Sequence, residues 1–85
     1  MQLRIGTVLR ACRERAGFSQ ERLGEMLHHD RSIISRIESE KSKIDAQMLL
    51  RWADVTNAKE VLVAYLCGLD GITIMQQVLS VAGIS

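Results

Sequence analysis

Arg31, Ser32, Ser35 and Arg36 lie within the eight-residue stretch RSIISRIE. At helical spacing Ser32, Ser35 and Arg36 fall on one side with Arg31 on the flank, while Ile34 and Ile37 fall on the other. A greasy inner face opposite a row of arginines and short hydroxyls suits a groove of double-stranded DNA. There arginine bonds guanine edges, and hydroxyls bond bases or phosphates. Just downstream, the polar loop SEKSKI (residues 39–44) supplies Lys41 and Lys43, placed to touch backbone phosphates. The same pattern also fits an ordinary helical hairpin with a solvated outer face and two solvated lysines. From this stretch alone both readings stand.

No other constellation in the chain carries chemistry. His28 and His29 are adjacent, so they cannot share a helix face, and no cysteine is near them in sequence. Zinc would need about four convergent ligands. The acids are scattered or stand beside bases, as Glu21 and Glu25 stand beside Arg22. No Ser-His-Asp order, glycine-rich phosphate loop or nucleophile motif is present. The expectation is a protein that is not an enzyme and needs no cofactor, metal or small-molecule ligand.

The elements that must hold the donor row in place are legible from apolar periodicity. Before it, Ser19 can cap a helix through its side-chain oxygen, and Phe18 and Leu23 occupy the positions of a hydrophobic staple. Leu23, Met26 and Leu27 continue that helix as an apolar stripe. Asp30 can cap the helix that carries the donors, which completes a helix-turn-helix. Upstream, Ile5, Val8, Leu9 and Cys12 mark a helix from about Leu3 to Ala16, which Gly17 stops. Of the arginines off that stripe, Arg4 and Arg15 read as solvated surface and Arg10 as a candidate phosphate contact. Downstream, Asp45 caps a fourth helix running to about Val55, with Leu49, Trp52 and Ala53 inward and Met48 and Val55 at the margins. Asn57 can cap a fifth helix, from about Ala58 to Cys67, with Val61, Leu62, Ala64, Tyr65 and Leu66 mostly buried.

The tail DGITIMQQVLSVAGIS carries no charged side chain after Asp70. As a sixth helix it would be apolar over about half its circumference, more than a terminal helix needs for its own core. Ile72, Met75, Val78, Leu79 and Ala82 are therefore expected to meet a second chain as a dimer interface. Packing against the chain's own domain is the alternative. The expected organisation is a domain over residues 1–68 and a dimerisation element over residues 69–85.

Eighty-five residues suffice for one small core. The net charge of +1 hides an asymmetry. Through Lys43 nine Lys/Arg face six acids, a net of +3; from Ile44 onward two face four, a net of −2. A basic front half is the one suited to approach a polyanion. No apolar run is long enough to span a membrane, and MQLRIGTVLR lacks the apolar core of a secretion signal. Cys12 and Cys67 read as small core residues of a reduced cytoplasmic protein.

With the elements placed, the chain resembles the Cro/CI-type (Xre-like) helix-turn-helix regulators of phages and bacteria. The resemblance rests on Leu9, Arg13 and Gly17 leading into Phe18, Ser19, Gln20, Glu21 and Leu23. It continues through Arg31, Ser32, Ile34, Ser35, Arg36, Ile37 and Glu38, and covers roughly Ile5 to Tyr65. It implies an all-α, compact five-helix lambda-repressor-like DNA-binding domain, here with an additional C-terminal helix. It also implies that the third helix enters the major groove. Arg31, Ser32 and Arg36 would read base edges, Ser35 a base or a phosphate, and Ile33 would sit between core edge and a thymine methyl. Gln20 matches the glutamine that clamps a phosphate, and Arg13 and Glu38 match an ion pair that would orient Arg13 toward the DNA backbone. The chain departs from the family pattern at Gly24, where alanine is usual, and at His28 and Glu40, where glycine is usual. His29 replaces an apolar turn residue.

The function so implied is a sequence-specific, homodimeric transcriptional regulator, of the kind phage repressors and controllers of mobile elements represent. A protein-binding adaptor or antitoxin-like module on the same scaffold is the alternative.

Overall fold

The computed structural model describes residues 4–67, and the expected interface residues Ile72, Met75, Val78, Leu79 and Ala82 lie outside them. Five helices follow one another: α1 (Ile5–Arg15), α2 (Gln20–Leu27), α3 (Arg31–Glu38), α4 (Ala46–Val55) and α5 (Lys59–Cys67). The fold is all-α. Helix α3 packs against α1 and α2, α4 against α2 and α5, and α5 against α1.

The apolar stripes meet in one core, where Leu9, Leu23, Leu27, Ile34 and Trp52 are fully buried. Trp52 fills the centre. Its indole N–H donates to the Leu9 carbonyl at 3.1 Å, which ties α4 to α1 and satisfies the ring's only polar group. The buried Thr56 hydroxyl donates to the Trp52 carbonyl at 2.7 Å. Among the described residues no buried side-chain nitrogen or oxygen lacks a partner.

Several details differ from the periodicity reading. Arg4 is extended at the N-cap, so α1 starts at Ile5. On α4, Met48 is buried and Leu49 half-buried, because the helix meets α2 and α5 on two sides rather than along one narrow stripe. On α5, Leu66 is exposed, as is Val63, while Val61, Ala64 and Tyr65 are half-buried. Asn57 does not cap α5; it ends α4. Its φ of 53° is left-handed, its N–H bonds the Asp54 carbonyl, and the Ala58 N–H bonds the Ala53 carbonyl.

That stop recurs at every corner. After α1, α2, α3 and α4 one left-handed residue (Gly17, His28, Glu40, Asn57) bonds back three residues, and its successor bonds back five. This is the Schellman arrangement, which satisfies carbonyls a helix end would otherwise orphan. Only one of the four is glycine.

Candidate nucleic-acid interface

Helix α2 begins where Ser19 Oγ accepts the Arg22 N–H at 3.0 Å. Half-buried Phe18 packs on the core cluster that contains Leu23. The helix ends at His28, held at φ 60°. The His29 N–H then reaches the Gly24 carbonyl at 2.8 Å. A Cβ at Gly24 would stand 2.6 Å from the His29 carbonyl oxygen, so the alanine usual in the family does not fit this turn. Both histidines are exposed. His29, where the family has an apolar turn residue, points to solvent, while Leu27 and Ile34 on either side of the turn are fully buried.

Asp30 stands extended at the α3 N-cap, but its side chain makes no capping bond; only its carbonyl accepts from Ile33 and Ile34. Ile34 and Ile37 bury themselves against α1 and α2. Arg31, Ser32 and Arg36 are exposed, Ser35 and Ile33 half-buried. At 3.6 residues per turn the four donor side chains occupy an arc of about 140°. The described chain leaves that arc open to solvent. Arg36 Nε donates to Ser42 Oγ at 3.1 Å.

At its C-terminal end α3 is fastened by a buried cluster. Glu38 accepts from Arg13 Nε at 2.7 Å, Arg13 Nη2 at 3.0 Å and Gln20 Nε2 at 3.1 Å. Arg13 Nη1 donates to the Phe18 carbonyl at 2.7 Å. Hydrogen bonding to Glu38 raises the affinity of Arg13 for its proton, and this outweighs the opposing effect of burial. The cluster joins α1, the start of α2 and the end of α3, and so fixes how α3 projects. Arg13 is only 7% exposed, and Nε and both terminal nitrogens already donate, so it ties α1 to α3 through the expected ion pair with Glu38. Gln20, half-buried at the first turn of α2, is oriented by the same carboxylate: only its amide nitrogen can face an acceptor, which leaves the second N–H and the carbonyl available.

Lys41 and Lys43 are exposed in the loop after α3. Arg10 is exposed too and pairs loosely with Glu14 at 3.5 Å. It shares its helix stripe with Gly6 and Arg13, the residues of α1 that meet the end of α3. Gly6 went unread in the sequence. A Cβ there would lie 2.5 Å from the Glu38 carbonyl oxygen, so α1 approaches α3 closely only because that residue is glycine. Its one signal was a glycine within the first turn of a helix, where no turn requires it. Ser42 was also unread, as a small polar residue in a polar loop.

Among the described residues no group of three or more metal-ligating side chains converges, and no helix is long and apolar enough to cross a membrane. A helix-turn-helix family model matches residues 9–62, more than half of the chain. No curated protein and no solved structure matches it significantly. The matched span runs from the middle of α1 into the first half of α5 and contains both the buried cluster and the outward face of α3. The chain belongs to the Cro/C1-type (Xre-like) helix-turn-helix family of DNA-binding regulators.

Proposed function

We propose that this protein is a homodimeric, sequence-specific regulator of transcription of the phage or mobile-element type. Each subunit lays α3 in the major groove of one half-site, the two half-sites about 34 Å apart on one face of the duplex. Arg31, Ser32 and Arg36 read base edges, and Ser35 a base or a phosphate. Gln20, Lys41, Lys43 and Arg10 hold phosphates, and so set the register and the salt-dependent part of the affinity. Gln20 does so at the N-terminus of α2, where the helix dipole favours an anion.

The observation that carries this reading is the split of α3, with Ile34 and Ile37 buried and its arginines and Ser32 open. Residues 1–68 form the reading domain in this account, and residues 69–85 the dimerisation element. Exposed Val63 and Leu66 on α5 support that division, because they are apolar surface of the kind a second chain covers.

Selection of bound duplexes from a random pool tests it. A palindromic consensus with half-sites one helical turn apart is the expected result, and a single unrepeated site, or no consensus, contradicts it.

A further inference from the structure

We infer that Ser42 is a positioning residue for base readout: it aims Arg36, and so sets which base pair that arginine discriminates. The inference deepens the proposed function and rests on its assignment of Arg36 as a base reader.

The geometry is a closed clamp. Glu40 adopts the left-handed conformation at φ 66°, which turns the chain back over the end of α3. The Lys41 N–H then reaches the Arg36 carbonyl at 2.8 Å, and the Ser42 N–H the same carbonyl at 3.2 Å. From there Ser42 Oγ accepts the Arg36 Nε–H at 3.1 Å. The residue whose backbone anchors the loop is thus the residue whose side chain the loop holds. An exposed arginine otherwise samples many rotamers, and ordering it on binding costs entropy. Holding Nε by the hydroxyl removes much of that freedom. It also leaves Nη1 and Nη2 without a partner among the described residues, able to form the paired bonds that recognise O6 and N7 of guanine. Ser42 is half-buried, and its backbone N–H bond to the Arg36 carbonyl fixes where the hydroxyl starts from.

The test measures full-chain protein against a duplex selected from a random pool and against its single-base variants. Ser42→Ala should lose about three- to tenfold of the preference at the one base pair per half-site that Arg36→Ala also blurs, leaving other positions unchanged. Ser42→Thr, which keeps the hydroxyl, should restore the preference, and Ser42→Ala should add nothing in an Arg36→Ala background. In the free protein, the Arg36 Nε–H resonance should exchange with solvent faster in Ser42→Ala than in the wild type or in Ser42→Thr. A uniform loss over all duplexes would make Ser42 a phosphate contact or a folding residue and overturn the inference. So would a sharp profile for Ser42→Ala where Arg36→Ala is blurred. If Arg36→Ala itself leaves every base preference intact, the base-reader assignment fails, and the inference falls with it.

Discussion

Glu38 accepts three hydrogen bonds in a site almost closed to water, two from Arg13 on α1 and one from Gln20 at the start of α2. Such a pair adds little over a well-packed apolar pair, but losing one partner strands a buried charge. Glu38→Ala should therefore cost about 3–5 kcal/mol, a fall of about 10 °C or more in Tm for a domain of this size. The double replacement Arg13→Met with Glu38→Leu should cost less than the single one. Thermal unfolding of the two variants checks this, and a single replacement costing under about 1 kcal/mol would contradict the burial argument. Cys12 offers a second test at this scale. Burial pushes its thiol above the ordinary range, opposed by Arg15 and aided by Glu60. The unfolded thiol ionises first as pH rises, so the unfolded state binds fewer protons there. Stability should be insensitive to this group below about pH 8 and decline above about pH 9. In Cys12→Ala, melts across that range should show a shallower alkaline decline; an identical decline would assign the effect to other groups.

The helices were readable from their stripes and caps because Ser19, Asp45 and the isoleucines of α3 each satisfy one local rule. The corners were only partly readable. Gly17 signals a left-handed stop by its type, whereas Asn57 suits both an N-cap and a left-handed position, and periodicity cannot choose between them. Glu40 gives no local sign at all, since a glutamate is left-handed only where the surrounding chain imposes it. That cost is recoverable. Glu40→Gly should raise stability by about 0.5–1.5 kcal/mol in denaturant unfolding, and no gain would mean the corner is unstrained. Gly24→Ala should do the reverse. Alanine gains about 1 kcal/mol of helix propensity, yet its Cβ would press on the His29 carbonyl oxygen at 2.6 Å, and backbone cannot step aside as a side chain can. A net loss of about 1–3 kcal/mol is expected, and a stabilised variant would show that the turn relaxes.

Over the whole molecule, charge and apolar surface divide the labour. The basic front half carries α3 and its lysine loop, and the acidic back half leads through α5 to the uncharged tail. The family and the exposed face of α3 were both legible in the sequence, because register, caps and polar residues agree over one continuous stretch. The bonds from Gln20 to Glu38 and from Arg36 to Ser42 were not, because partners 18 residues apart, or across a reversed loop, leave no periodic trace; the Arg13–Glu38 pair was legible only through the family resemblance. Removing residues 72–85 should convert a dimer in sedimentation equilibrium into a monomer that binds single half-sites without cooperativity. A truncated chain that remains dimeric would place the interface elsewhere.

Sequence-specific regulation by this protein depends above all on the outward side of α3 discriminating bases. Its most direct test is the ratio of affinities for a selected duplex and for random duplex, measured at fixed salt for the wild type and for a variant with Arg31, Ser32 and Arg36 all replaced by alanine. A folded variant whose ratio collapses to near unity, with Lys43→Ala weakening both duplexes alike, is the predicted result. A folded variant that keeps the wild-type ratio would contradict it.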